Sequence, residues 1–326
     1  MVKVNKLGIL GLLCSLFLSG CVMVKGAEKP VEESTINDVI TDTINSMSVS
    51  FIDVGQGDST FIELPDGKTM LIDAGLKAES EAVTEYIRVK GYTTIDYVIA
   101  THPDSDHIGG IADVLNTFEV GAFYISPYYG TTNTFDTMLE TAEDKGLDAR
   151  TLKEGDTFTD SDLYEIIVVA PVGNTYKDSN NASIVLRLDY KDSSFLFMGD
   201  AEAESEEQIS LDIDCDVLKV GHHGSTSSTT IDFLNKVTPK ISVISCGLDN
   251  KYGHPHKETL EKLEGTQVYR TDIEGTIEIV TDGTEYLIKS QNEQTIQEEK
   301  EVGTSNSTIT DTEIAYVLNT KTKKNS

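Results

Sequence analysis

The stretch Tyr97-Val98-Ile99-Ala100-Thr101-His102-Pro103-Asp104-Ser105-Asp106-His107-Ile108-Gly109-Gly110 constrains this chain more than any other. An apolar, strand-like run leads straight into a loop that holds four imidazole or carboxylate groups within six residues. A helical pattern follows it. A loop at the end of a buried strand is fixed by that strand, so it can hold such groups at set separations. Imidazole and carboxylate together suit zinc, manganese or iron, and a pair of ions needs about this many ligands. The spacing predicts His102, Asp104, Asp106 and His107 as metal ligands. The simpler reading, a polar turn with Asp104 or Ser105 as a helix cap, leaves the density of ligand types unexplained.

Around this loop, short apolar runs alternate with helical patterns. Strands are predicted over 49–54, 59–64, 69–73, 97–100, 122–126, 165–169, 183–190, 194–198, 217–220, 241–245, 267–270, 276–280 and 285–288. Helices are predicted over 78–90, 108–117, 134–145, 202–210, 231–236 and 257–264. Pro65-Asp66-Gly67 and Asp282-Gly283 read as hairpin turns. Many strands with interspersed helices argue for one layered α/β domain over residues 48–289.

Further chemistry lies at the ends of other apolar runs. Phe195-Leu196-Phe197-Met198 ends at Gly199, which releases Asp200. A carboxylate there can bridge two cations or cap the helix that follows. Asp58 sits in a glycine-rich turn after the opening strand, as a group that supports a metal ligand from behind, a substrate-side group or a plain turn residue. The six histidines, His102, His107, His222, His223, His254 and His256, all fall in such motifs. His222 and His223 are adjacent and must point differently, so one of the two is expected to meet metal or substrate. His256 reads as a helix cap or as a group that supports a ligand from behind.

The pattern His102-x-Asp104-x-Asp106-His107 resembles the H-x-H-x-D-H motif of the metallo-β-lactamase superfamily, with Asp104 in place of the second histidine. That variant is similar to the soluble hydrolase-like domain of ComEC-type DNA-uptake proteins. Five further motifs match in order: Phe51 to Ser59 with Leu71-Ile72-Asp73-Ala74-Gly75, Asn181-Ala182-Ser183-Ile184, Met198-Gly199-Asp200, Lys219 to Ser225, and Tyr252-Gly253-His254-Pro255-His256. The resemblance implies an αββα sandwich holding one or two divalent ions, with His102, Asp104, Asp106, His107, Asp200 and His254 as ligands. Asp106 would also orient the attacking hydroxide, and His222 or His223 would act on the substrate or leaving group. Asp58, Asn181, Ser183 and His256 would lie on the substrate side or behind the ligands. Many relatives carry another histidine ligand before the bridging aspartate, but no histidine lies between His107 and His222. This tilts the site toward oxygen donors and makes manganese an alternative to zinc.

The expected chemistry is metal-assisted hydrolysis of a phosphodiester, in nucleic acid or a smaller nucleotide. The alternatives are hydrolysis of another ester, such as a lactone or a cell-wall phosphoester, and a metal-poor binding protein that kept the fold. The formal net charge of -29 comes with no basic stripe, which argues against a high-affinity nucleic-acid binder.

The N-terminus is laid out like a signal peptide. Lys3 and Lys6 precede an almost wholly apolar run from Leu7 to Leu18, too short to span a bilayer as a helix. It ends in Leu18-Ser19-Gly20-Cys21, which resembles the lipobox of bacterial lipoproteins. Cys21 is therefore expected to be acylated, anchoring an exported protein to the outer face of the cell membrane. Residues 22–47 read as a flexible tether and 290–326 as a polar, disordered tail. No transmembrane segment follows the domain, so no channel is expected in this chain. With no CxxC pair present, Cys215 and Cys246 are expected to be buried thiols or, in an exported protein, a disulfide.

Overall fold

The computed structural model describes residues 46–173 and 175–293. Cys21, the signal-like segment, nearly all of the tether and most of the tail lie outside the described residues. Fourteen strands follow in chain order among the described residues. They are β1 (Met47–Phe51), β2 (Thr60–Glu63), β3 (Thr69–Ile72), β4 (Thr94–Ala100), β5 (Glu119–Ile125), β6 (Ala149–Thr151) and β7 (Glu165–Ala170), then β8 (Val185–Tyr190), β9 (Ser193–Phe197), β10 (Val217–Lys219), β11 (Ile241–Ile244), β12 (Gln267–Arg270), β13 (Ile277–Thr281) and β14 (Tyr286–Ser290). Helices longer than one turn are α1 (Ser80–Val89), α2 (Ile111–Thr117), α3 (Asn133–Asp144), α4 (Ala203–Gln208), α5 (Ile231–Val237) and α6 (Lys257–Lys262).

The strands form two sheets, ordered β14-β13-β1-β2-β3-β4-β5-β6 and β12-β11-β10-β9-β8-β7. Each sheet joins an antiparallel part to a parallel part. In the first, β3, β4, β5 and β6 run parallel. In the second, β9, β10, β11 and β12 do. The sequence explains the division. Parallel strands are covered on both faces and read as continuous apolar runs, as in the fully buried Ile241-Ser242-Val243-Ile244 of β11. Antiparallel β13 alternates buried and half-buried positions along Ile277-Glu278-Ile279-Val280-Thr281.

Three apolar layers hold this arrangement. One lies between the sheets and includes Val49, Phe51, Leu186, Phe195 and Val243. A second packs the first sheet against α1, α2 and α3 through Val83, Ile87, Val114 and Phe135. The third packs the second sheet against α4, α5 and α6 through Leu196, Leu218, Phe233 and Leu263. Each such side chain, fully buried, stabilises the fold by roughly 1.5–3 kcal/mol. The result is helix, sheet, sheet, helix: the αββα sandwich.

The helix predicted over 108–117 is divided. A single turn spans Ser105–Ile108, and α2 starts at Ile111. The reason is tertiary. Gly110 N donates to Gly75 O at 3.1 Å, and a Cβ on Gly110 would come within 2.2 Å of Ala74 O. Strand β6 was not predicted, because Ala149-Arg150-Thr151 carries no apolar period and pairs only at the sheet's end. Cys215 and Cys246 are both free and buried. Burial raises both thiol pKa values, that of Cys246 to about 12 with Asp272 adding to the effect.

Candidate metal centre

The carboxyl ends of β3, β4, β9, β10 and β11 deliver the site. They lead into Asp73, His102, Asp200, His222 with His223, and the loop to His254, respectively. Asp58 comes from the turn between β1 and β2. Gly57 in that turn has φ 142°, and a Cβ there would lie 2.2 Å from Asp106 O. Its missing side chain lets Asp58 N donate to Asp106 O at 3.2 Å, which ties the turn to the metal-ligand loop.

Four imidazoles surround one carboxylate. The Nε2 atoms of His102 and His222 lie 3.8 and 3.7 Å from Asp200 Oδ2. His223 Nε2 lies 3.4 Å from the same oxygen, and His107 Nε2 lies 3.2 Å from Asp200 Oδ1. In every case the other ring nitrogen is committed elsewhere. His107 Nδ1 meets Asp73 Oδ2 at 2.8 Å. His223 Nδ1 meets Ser245 O at 3.0 Å, and His222 Nδ1 meets Glu202 Oε1 at 2.9 Å. His102 Nδ1 meets Thr101 Oγ1 at 3.2 Å, and that hydroxyl donates onward to Asp73 Oδ2 at 2.6 Å. With Nδ1 engaged outward in each ring, each Nε2 faces the centre, where it can carry a proton toward Asp200 or, once that proton leaves, offer its lone pair to an ion.

His222 and His223 manage this from adjacent positions by means of an unusual backbone. Both are left-handed, at φ 46° and 54°. Such conformations cost on the order of 1–3 kcal/mol each for non-glycine residues and concentrate at functional sites.

The electrostatics follow from burial and pairing. Burial would push the Asp200 carboxyl up, but His107 and His223 outweigh it and hold it well below the usual carboxylate range. Burial would push His107 and His223 down, but carboxylates outweigh it and raise both well above an ordinary histidine: Asp200 and Asp73 for His107, Asp200 and Asp106 for His223. His102 is lowered, first by burial and then by the charge on His107. Asp58 is also buried, yet Lys219 and His223 keep it ionised. Its Oδ2 lies 2.6 Å from Lys219 Nζ, and Lys219 is 2% exposed.

Asp58, His107, Asp200 and His223 each offer a ligand atom, and these atoms lie within 4.8 Å of one another. The residues fit a cation on a second ground. Asp58 Oδ1, His102 Nε2 and Asp200 Oδ1 are buried and make no well-aligned hydrogen bond in the protein, although His223 Nδ1 and His107 Nε2 stand 3.2 Å from the two oxygens. Leaving a buried polar atom unpaired costs roughly 1–3 kcal/mol. Three such atoms in one mixed nitrogen and oxygen cluster suit a divalent ion of the zinc or manganese kind.

The remaining candidates fall at different depths. Asp106 lies at the mouth, partly exposed, with Oδ2 3.5 Å from His223 Nε2. Asp104 Oδ1 accepts from Ser179 Oγ at 2.7 Å. The His254 ring is 5.5 and 6.2 Å from the rings of His222 and His223, and its buried Nδ1 has no hydrogen-bond partner. His256 lies one ring further out, and its Nδ1 accepts from Thr226 N at 3.0 Å. Ser183 Oγ accepts from Asp200 N at 3.1 Å and so sets the turn that presents the carboxylate. Asn181 spends its amide on structure. Its Oδ1 accepts from Glu202 N and Ser205 N, and its Nδ2 donates to Asp178 and Glu202. Asp53 Oδ1 accepts from Gly55 N at 3.0 Å in its own turn.

Residues 52–248 match the model of the metallo-beta-lactamase superfamily. The chain belongs to the metallo-beta-lactamase superfamily. It is 34% identical over 252 residues to ComE operon protein 3 of Bacillus subtilis (strain 168), covering 71% of this chain and 32% of that protein. It is 30% identical over 238 residues to Recombination protein 2 of Haemophilus influenzae, covering 70% of this chain and 27% of that protein. The chain thus spans about a third of the length of the curated relatives it matches. Among solved structures, the metallo-beta-lactamase fold protein YhfI from Bacillus subtilis is similar at 12% identity and a TM-score of 0.48, covering 72% of this chain and 99% of that one.

Three residues around the cluster do not stand out in the sequence. Asp73 accepts from Thr101 N and Thr101 Oγ1 and meets His107 Nδ1, so one carboxylate braces both ends of the His102–His107 loop. Lys219 holds Asp58, and Glu202 holds His222. The signal for Lys219 was available: a lysine inside an apolar strand must find a buried counter-charge.

Proposed function

We propose that this chain is a metal-dependent phosphodiesterase. The observation that carries the reading is the convergence of four imidazole Nε2 atoms on Asp200, each with its Nδ1 committed outward. A divalent cation, when bound, supplies Lewis acidity at phosphorus and a water acidic enough to attack near neutral pH. His102, His107, His223 and Asp200 would hold it, with His254 from the mouth. Asp106, partly open to solvent, orients the attacking water. His222 is more exposed than His102, His107 and His223, and Glu202 and Ser227 fix its Nδ1 side. That placement suits it to give a proton to the leaving oxygen. One curated relative is named a recombination protein, in keeping with a nucleic-acid or nucleotide substrate.

Turnover of a small phosphodiester and of DNA by one metal-loaded preparation tests this. Chelation should abolish turnover, and manganese or zinc should restore it. Asp106→Ala should lower kcat by about a hundredfold or more. If neither substrate is cleaved above the Asp106→Ala background with any metal, the reading fails and a binding role replaces it.

The place of action is part of the proposal. Cys21 closes a lipobox-like Leu-Ser-Gly-Cys sequence, and acylation there would hold the enzyme on the outer face of the cell membrane. Cys21→Ala should lose lipid labelling and membrane retention together. Labelling equal to the parent would rule out this anchor.

A further inference from the structure

The loop from Gly247 to Gly253 joins β11 to His254 and displays side chains that the metal cluster does not use. Leu248 is 73% exposed and Tyr252 is 51% exposed. The Tyr252 ring stacks on His254, with centroids 5.6 Å apart and planes 20° from parallel. Lys251 Nζ lies 4.9 Å from the centre of the same ring. The loop is held from within. Asn250 Nδ2 donates to Gly247 O at 2.9 Å and also to His254 O. Its Oδ1 accepts from Tyr252 N at 3.1 Å and from His254 N at 3.0 Å. Gly247 N donates to Gln56 Oε1 at 3.2 Å, which fastens the loop to the turn before Asp58. A segment pinned at both ends, holding a tyrosine and a leucine toward water beside the metal cluster, is a preformed surface.

We propose that Tyr252 and Lys251 form a subsite for a nucleobase and an adjoining phosphate of single-stranded nucleic acid. The proposal rests on the phosphodiester reading above and names its substrate class. One imidazole, His254, separates the Tyr252 ring from His222 and His223, so a base on Tyr252 and a phosphate at the cluster can belong to one strand. A base inside a duplex has no free face to offer, whereas a single strand has one at every residue. Magnitudes favour the base over the resident lysine. A cation over an exposed ring contributes only about two- to fivefold to binding, while stacking of a base contributes about five- to a hundredfold. The base therefore takes the ring, and the flexible Lys251 stem carries its ammonium to a phosphate. In a chain of net charge -29, stacking supplies what a basic groove supplies elsewhere.

The test uses the full chain loaded with manganese, in an Asp106→Ala background where turnover is stopped. Calorimetry compares a single-stranded pentadeoxyadenylate with the same backbone lacking bases. The base-bearing strand should bind about tenfold tighter or more. Tyr252→Ala should bring that ratio close to one, and Tyr252→Phe should keep it. Tyr252→Leu retains apolar bulk over His254 and should also lose the ratio, with metal content equal to the parent. Lys251→Gln should weaken both strands alike and flatten the salt dependence by a slope of about 0.7. Equal binding of the two strands, or a preference that survives Tyr252→Ala, overturns the subsite. The two readings fail separately. A base preference in a protein that cleaves no diester leaves the subsite standing and removes the hydrolytic reading. Cleavage without base preference does the reverse.

Discussion

Asp58, Asp73, Lys219 and His223, at the base of the metal centre, are at most 4% exposed, whereas Asp106, His222 and His254 at its mouth are each partly open to water. The two layers are built differently. In the base, charges are answered by protein groups: Lys219 by Asp58, Asp73 by His107 and two bonds from Thr101. At the mouth, Asp106 meets His223 Nε2 at 3.5 Å, and His254 Nδ1 has no hydrogen-bond partner. The difference follows from dielectric. A charge buried without a partner costs several kcal/mol, so each charged group of the base has a protein counter-charge before any ion arrives, and only single atoms such as Asp58 Oδ1 are left without a hydrogen bond. The mouth residues are partly open to water, where an unsatisfied atom costs less, which leaves these side chains free for metal and substrate. The base should therefore carry folding stability and the mouth should carry function.

The comparison breaks most visibly at Lys219. Replacing it with Met leaves Asp58 at 4% exposure without its lysine partner, with only His223 Nδ1, 3.2 Å from Asp58 Oδ1, left to answer its charge. Removing one partner of a buried pair costs about 3–5 kcal/mol. Denaturant unfolding of the metal-free protein should show that loss, and Asp58→Asn added to Lys219→Met should return most of it. The sign with pH is also fixed. Burial raises the Asp58 pKa, and Lys219 is the first group that overcomes this. A carboxyl held low gives stability that is present above its ordinary pKa of 3.8 and lost as pH falls through the lower folded value. Without Lys219 the folded pKa rises, so the gap between variant and parent should narrow on acidification. A loss below about 1 kcal/mol at neutral pH would show that the pair does not hold the base together.

How much of this was legible depended on whether the chemistry was contiguous. His102, Asp104, Asp106 and His107 lie within six residues after an apolar strand, and no packing information is needed to see them. The sandwich was legible because its parallel strands are continuous apolar runs and its hairpins are marked by turn residues. The base of the site was not. Asp73 closes an apolar run as many strand-end residues do, and only the fold brings it to His107 from 34 positions away. Asn181 illustrates the opposite limit. It sits in a motif that resembles the superfamily's, yet its amide oxygen accepts from Glu202 N and Ser205 N at the start of α4, an assignment that needs the three-dimensional partners. The depth of each histidine was equally hidden, since six histidines in similar motifs separate into buried rings and mouth rings only after packing.

The smallest expected effect on stability is the sharpest test of the comparison. His254 is pressed down to about 4, first by burial and then by the charges on His223 and His222, so it is neutral at physiological pH. It answers no charge in the base, and its buried Nδ1 has no hydrogen-bond partner. His254→Ala therefore removes an unsatisfied atom along with the ring, and the metal-free protein should change by less than about 1 kcal/mol. The metal-loaded protein should behave differently. Loss of a ligand should weaken metal binding by at least about tenfold, which removes about 1.4 kcal/mol of the stabilisation that saturating metal provides. Melting curves recorded across a manganese titration separate the two contributions: parent and variant should coincide without metal and diverge as metal is added. Lys219→Met should show the inverse, a large gap that is already present without metal. If His254→Ala unfolds as early as Lys219→Met in the absence of metal, the mouth supports the fold after all. If its curves follow the parent at every metal concentration, His254 is not a ligand, and the stacking of Tyr252 on its ring becomes its main role.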